Sequence, residues 1–342
     1  MAALKSILVV GAGSIGRRHL DALRLTGGVE LSVCESNEAR RRSAADSGVS
    51  AVFPSLEDAL PRRWDGAIVA TPAHTHVAIG RALTDLGIPV LVEKPLAVTA
   101  AGVADWQAAV DTRGVPVMVG YVYRCHPLIQ AIRGQLAAGA IGAPMQLVAQ
   151  RGAHLPARRA DYASSYYARA DEGGGVVQDI LSHLFNTAEW LVGPVTAVAA
   201  DAAHCCLPGV EVDDTVHAIA RHGDVLASYS VNQHQPEAEF SLQVNGTRGS
   251  LRALLHESRW EIVREPDGGW TRHPLPPLDA VAWFARQAAA FLEVIDKRCD
   301  PPCSLAEGQS TLHAVLATLQ AVQRRCGWVE VKPHVLPATQ FV

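Results

Sequence analysis

The run Ile7-Leu8-Val9-Val10 passes without a break into Gly11-Ala12-Gly13-Ser14-Ile15-Gly16, and a segment of helical period follows as far as Thr26. Strand, G-x-G-x-x-G and helix in that order form the opening turn of a dinucleotide-binding βαβ unit. Gly11 permits the tight turn, Gly13 lets a pyrophosphate approach the backbone, and Gly16 permits close helix–strand packing. Ser14 and Ile15 begin a helix whose free N–H groups attract an anion. Glu35 closes the next strand candidate at about the twenty-residue distance at which a carboxylate accepts ribose hydroxyls. Glycine-rich turns also occur without nucleotide, so the weight rests on strand, helix and Glu35 together. The carboxylate repels a 2′-phosphate and favours NAD over NADP, a preference that Arg40 and Arg41 oppose.

The rest of the first third repeats the alternation. Ile7–Val10, Leu31–Cys34, Val49–Phe53, Ala67–Ala70, Val90–Val92 and Val117–Val119 are short apolar runs separated by helix candidates. Runs without polar alternation indicate strands covered on both faces, hence a parallel, doubly wound sheet of the Rossmann type. After Tyr121 the rhythm changes. A helical stretch, Leu128–Ala138, precedes strand candidates at Val195–Ala200, Thr215–Arg221, Val225–Asn232, Phe240–Asn245 and Ser250–Leu255. Strands at short spacing, with turns at His222-Gly223-Asp224 and Asn245–Gly249, predict an α+β domain with a large, mainly antiparallel open sheet. Two helical segments, 280–297 and 305–325, flank Asp300-Pro301-Pro302. A chain of 342 residues fits about two domains, which the patterns place at 1–120 and 121–342.

Composition narrows the partners. The chain is 49% hydrophobic and 19% charged, without a biased tract, as an ordinary globular protein is. Thirty Lys and Arg against 34 Asp and Glu give a net charge of -4, which argues against general nucleic-acid or membrane-surface binding. No apolar run is long enough to span a bilayer, and the first strand leaves no room for a secretory leader, so a cytoplasmic location is expected. The seven cysteines are scattered and lack zinc spacing, which predicts buried free thiols and no metal site.

Two further motifs carry chemistry. Glu93-Lys94-Pro95 follows the strand Val90–Val92, placing Lys94 at the carboxyl edge that binds the cofactor. A lysine there can donate a proton or hydrogen bond to a substrate oxygen during hydride movement. Gly173-Gly174-Gly175 leads into a segment of helical period in which Asp179 and His183 stand four apart. On a helix that spacing shares one face, where a carboxylate can orient and charge-stabilise an imidazole. Tyr121, Arg124 and His126, and then His154, Arg158, Arg159, Asp161, Tyr162, Tyr166 and Tyr167, supply donors suited to a polyhydroxylated or anionic ligand. Of these, Tyr121, Arg124, His154 and Tyr162 are the substrate-binding candidates, beside Lys94, Asp179 and His183.

Taken in order, these motifs resemble the glucose-fructose oxidoreductase/inositol dehydrogenase/rhizopine catabolism (Gfo/Idh/MocA) family across almost the whole chain. The resemblance rests on Gly11–Gly16, Thr71-Pro72 with His76, Glu93-Lys94-Pro95, Gly173–Gly175 with Asp179 and His183, and Gly246-Thr247-Arg248-Gly249-Ser250. It implies an NAD(P)-binding domain and a substrate-binding and oligomerisation domain, acting on a sugar, nucleotide sugar or cyclitol as a homodimer or homotetramer. Lys94, Asp179 and His183 would form the catalytic set; Thr71, Pro72, His76, Glu93 and Lys94 would serve the cofactor, and Pro95 would shape its turn, often through a cis peptide. Asn186 departs from the family, where an acid frequently stands three positions after the histidine. The stretch from Leu155-Pro156 to Tyr166 looks like a branch associated with surface sugars, shortened here between Pro156 and Asp161. Other members of this fold reduce imines or dihydrodiols, or are dinucleotide-binding regulators without turnover. The residues leave open whether Lys94 or His183 accepts the proton.

Overall fold

The computed structural model describes residues 4–325 and 327–331. The chain divides into two compact units, one running to Cys125 and taking up Asp279–Leu305, the other holding His126–Leu278 and the residues from Ala306 onward.

In the first unit, β1 (Lys5–Val10), α1 (Ser14–Thr26), β2 (Val29–Cys34), α2 (Glu38–Asp46), β3 (Ala51–Phe53) and α3 (Leu56–Ala59) are followed by β4 (Gly66–Val69), α4 (His76–Asp85), β5 (Val90–Val92), α5 (Val103–Arg113) and β6 (Val117–Val119). The strands lie in the order β3-β2-β1-β4-β5-β6, every neighbouring pair parallel. All six apolar runs of the sequence fall on these strands. Ile7–Val9, Ala67–Val69 and Val90–Val92 have no exposed surface, the state that lets strands dispense with polar alternation; each such aliphatic side chain contributes about 1.5–3 kcal/mol. The strand order reverses between β1 and β4, so the crevice for a ligand opens at their carboxyl ends.

The second unit begins with α6 (Pro127–Ala137), β7 (Pro144–His154) and α7 (Leu155–Arg158), passes through a series of 3₁₀ turns, and reaches α8 (Ser182–Val192). Next come β8 (Ala197–Ala203), β9 (Thr215–His222), β10 (Val225–Asn232), β11 (His234–Gly246), β12 (Gly249–Leu254), β13 (Arg259–Val263) and β14 (Thr271–Pro274). The chain returns to the first unit as α9 (Ala280–Ile295), and α10 (Leu305–Arg324) and β15 (Val329–Glu330) are the last elements among the described residues. The sheet order is β14-β13-β12-β11-β7-β10-β9-β8-β15; β7 and β10 run parallel and the other pairs antiparallel, as the mainly antiparallel expectation requires. β9 alternates buried and exposed residues along its length, so one face of the sheet is core and the other is open.

α9 is held to the first unit by close packing. The ring of Phe284 meets His19 of α1 edge-on at 5.1 Å between centroids, and a Cβ on Gly66 of β4 would stand 2.6 Å from Cδ1 of Ile295. No helix among the described residues is long and apolar enough to cross a membrane. The expectation of buried thiols needs correction: Cys34, Cys125 and Cys303 are buried, but Cys205, Cys206 and Cys299 are exposed free thiols. Cys205 and Cys206 sit in a loop whose N–H groups donate to the Asp214 carboxylate, which satisfies the backbone and leaves the side chains outside. Cys326 lies outside the described residues.

Candidate active site

The glycine turn after β1 has the shape of a phosphate cradle. Gly11 adopts a φ of +96°, where a Cβ would also stand 2.6 Å from the Ala70 carbonyl oxygen at the end of β4. A Cβ on Gly16 would stand 1.9 Å from the Gly11 carbonyl oxygen, whereas one on Gly13 would meet no heavy atom within 4 Å. The first and third glycines are therefore packed against backbone, and the second faces open space. α1 starts at Gly13 with no side-chain cap and no acidic residue in its first turn, leaving N–H donors and the positive end of the helix dipole for an anion. Ser14 is exposed and Ile15 partly so.

Glu35 follows β2 and is 6% exposed. Its carboxylate accepts from the Ala12 N–H at 2.8 Å and the Asn37 N–H at 2.9 Å, so the acid braces the glycine turn as well as closing the strand. Arg41 donates to the carbonyls of Glu35 and Ser36, and the Arg40 N–H caps onto Asn37. These residues fit a dinucleotide: glycine backbone and helix N-terminus for the pyrophosphate, Glu35 for the adenosine ribose.

The lysine turn after β5 is fastened from two sides. Glu93 is buried, accepts from His19 Nε2 at 2.7 Å, and accepts the Lys94 N–H on its second oxygen at 3.1 Å. His19 lies on α1, one turn after Gly16, so the fingerprint helix and the lysine turn share a buried hydrogen bond. Gly120 at the end of β6 leaves space for Glu93, since a Cβ there would approach Glu93 Cδ to 3.0 Å. On the other side the two ring nitrogens of His76 lie 3.0 Å from the Pro95 carbonyl oxygen and 2.8 Å from that of Thr71. Burial holds the His76 pKa below the ordinary imidazole value, against the pull of those carbonyls. The Lys94–Pro95 peptide is cis. The Thr71 and Thr75 hydroxyls are 2.6 Å apart, and Pro72 is exposed beside them.

In the second unit Asp179 and His183 are 7% and 8% exposed. The helix expected across both is α-helical only from Ser182; Asp179 lies in a π-helical turn, Val177–Leu181. Four residues still make about one turn in either geometry, so the shared face survives the change. The glycines before it act through close approach and φ: Gly173 and Gly175 have φ of +95° and +83°, and a Cβ on Gly174 would stand 2.2 Å from the Tyr167 carbonyl oxygen. Asp213, which carried no signal in the sequence, accepts the Val177 N–H at 2.8 Å and fixes the start of the turn. Burial pushes the Asp213 carboxyl pKa up, opposed by the backbone N–H groups it accepts.

The remaining substrate candidates are sorted by their surroundings. Tyr121 is buried after β6. Arg124 is buried and donates to the Pro302 carbonyl at 2.9 Å within the first unit. His154 accepts the Ala157 N–H and caps α7. Tyr162 joins a small core with Tyr167, Leu207, Val210 and Val212, its hydroxyl donating to Pro208. Tyr166 instead donates to Asp179 Oδ1 at 2.9 Å. Asn186 donates to Thr311 Oγ1 of α10 at 3.0 Å. Among the described residues no group of three or more His, Cys, Asp or Glu is arranged to hold a metal.

A six-stranded parallel sheet with a glycine cradle at its switch point, a buried acid closing β2 and a lysine at the same edge define a dinucleotide-dependent oxidoreductase. Residues 5–121 match the model of the oxidoreductase family with an NAD-binding Rossmann fold, and residues 129–252 match the GFO/IDH/MocA C-terminal domain. The chain belongs to the Gfo/Idh/MocA family of oxidoreductases. Among its relatives, a D-apiose dehydrogenase of Paraburkholderia graminis is 29% identical over 327 residues, covering 91% of this chain and 85% of that one. A myo-inositol dehydrogenase of Streptomyces leeuwenhoekii is 31% identical over 258 residues, 72% of this chain and 75% of that one. A levoglucosan dehydrogenase solved with NADH and levoglucosan superposes with a TM-score of 0.86 at 21% identity, over 97% of this chain and all of that one.

Proposed function

We propose that the protein moves a hydride between NAD and a carbon bearing a hydroxyl or keto group in a sugar, nucleotide sugar or cyclitol. The observation that carries this reading is the position of Lys94, two residues after β5 at the carboxyl edge that holds the glycine cradle, on a turn fastened through Glu93 and Pro95. The relatives named for D-apiose, myo-inositol and levoglucosan support the substrate class.

Bound NAD would supply the hydride acceptor. Gly11, Gly13, Ser14, Ile15 and Gly16 would hold the pyrophosphate, Glu35 the ribose, and the Thr71–Pro72 turn with His76 the nicotinamide end. A buried acid in the ribose position favours NAD over NADP, and Arg41 donates to the main-chain carbonyls of Glu35 and Ser36, where it does not offset the Glu35 carboxylate. In the oxidising direction, Lys94 stabilises the developing alkoxide while the His183 imidazole takes the hydroxyl proton. Asp179 orients the imidazole and stabilises it once charged.

The open face of the second sheet supports a homo-oligomer. Met145, Val148, Ile219 and Leu226 are 52%, 39%, 48% and 45% exposed, an apolar patch centred on the adjacent strands β7, β10 and β9. Exposed free thiols at Cys205, Cys206 and Cys299 support a reducing compartment, the cytoplasm.

The test is a panel of myo-inositol, D-apiose, levoglucosan and nucleotide sugars with NAD+ and NADP+, followed by absorbance of the reduced nicotinamide. At least one polyol is expected to give turnover, faster with NAD+. Reduction of neither nucleotide by any of them contradicts the reading.

A further inference from the structure

The 3₁₀ turn Tyr166–Ala168 is pressed against the glycines that precede Asp179. A Cβ on Gly174 would stand 2.6 Å from the Tyr166 carbonyl oxygen, closer still to that of Tyr167. Tyr167 is fully buried, with its ring edge-on to Tyr162 at 6.3 Å between centroids, and it anchors the turn in the small core. Its neighbour Tyr166 then faces the other way, and its hydroxyl donates to Asp179 Oδ1 at 2.9 Å. Arg159 lies over the Tyr166 ring, its guanidinium carbon 4.8 Å from the centroid, and also pairs with Asp161 at 3.4 Å. Burial works against the charge of Arg159, but Tyr166, Asp179 and Asp161 outweigh it and raise its pKa. Of the titratable groups near Asp179 in this unit, Tyr166 and Arg159 act on it together, His183 stands one turn on, and Tyr167 lies within the field of Asp179 as well as of Asp213 and Asp214.

We propose that Tyr166, braced by Arg159, is a positioning residue that keeps Asp179 ionised and fixes its orientation. A phenolic O–H donated to a carboxylate favours the charged form, and a cation over the ring adds to that preference. Resting on the reading of Asp179 as the partner of a base, this gives Tyr166 its purpose: a carboxylate held as an anion can stabilise His183 when the proton arrives.

The experiment reads Asp179 itself, in full-length protein with NADH, by carboxyl carbon NMR of aspartate-labelled enzyme. The Asp179 signal is the one lost in Asp179→Asn. Tyr166→Phe keeps the ring under Arg159 and removes only the hydroxyl, and it should raise the Asp179 pKa by about one unit. Arg159→Gln should move it in the same direction by less, because the guanidinium is partly solvated. Should Tyr166→Phe fail to fold, Arg159→Gln on the periphery carries the same test. An Asp179 titration unmoved in the folded variants overturns the proposal. The functional reading fails separately, through unchanged polyol turnover in Asp179→Asn, and that result leaves the effect of Tyr166 on the Asp179 pKa as it was measured.

Discussion

Glu35 has two duties, and they predict how its loss is read. Removing the carboxylate strips the ribose acceptor and also frees the buried Ala12 N–H that it accepts. Glu35→Ala should therefore weaken NADH by about tenfold or more, and NADPH by less, narrowing the preference in fluorescence titrations. Lys94 stands beside the cofactor, but its main duty is at the substrate oxygen. Lys94→Met should lower turnover by on the order of a hundredfold or more and leave NADH affinity little changed. Both residues are legible in the sequence because a motif fixes their distance from a strand end. His19 is not, although a histidine on the buried stripe of α1 is itself a signal that a polar partner must exist; that partner, Glu93, lies 74 positions away. The tyrosines show the same limit. Tyr162, Tyr166 and Tyr167 look alike in sequence, and only packing separates two core rings from the one that reaches Asp179.

Elements are most legible where burial is two-sided. The strands of the first unit are continuous apolar runs because helices cover both faces, so their position could be read to within a few residues. β13 and β14 escaped such reading. Glu261 in β13 is fully buried yet charged, with Arg252, Arg259 and Arg272 around it, and a buried acid breaks the alternation by which a half-covered strand is recognised. The π turn escaped for a different reason, since i and i+4 share a face in either geometry and the pattern of side chains does not distinguish them. The glycines before that turn supply a prediction at the same scale. Gly174→Ala forces a Cβ to within 2.2 Å of the Tyr167 carbonyl oxygen, so the Tyr166–Tyr167 turn must shift. We expect a loss of about 1–3 kcal/mol in denaturant unfolding, and turnover reduced more than NADH affinity, because the cradle lies in the other unit.

The whole molecule follows from how each sheet hides its faces. The first is covered on both sides; the second leaves a face on which Val148 and Ile219 flank Ser228 across neighbouring strands. Ile219→Asp places a charge in the middle of that patch and should halve the mass seen by analytical ultracentrifugation, with NADH binding retained. A wild-type protein that is already monomeric contradicts the oligomer. The change from parallel to antiparallel architecture near Tyr121 was legible in strand spacing. The return of Asp279–Leu305 to the first unit was not, because the amphipathic pattern of α9 shows that it covers something without showing which sheet. The claim that joins fold to function is hydride transfer from a polyol carbon to NAD, and an isotope tests it most directly. A polyol that gives turnover is supplied with deuterium on its reacting carbon, and the reduced nicotinamide is isolated and weighed by mass spectrometry. The account predicts deuterium in the nicotinamide ring, one atom per molecule; reduced nicotinamide free of deuterium would contradict it.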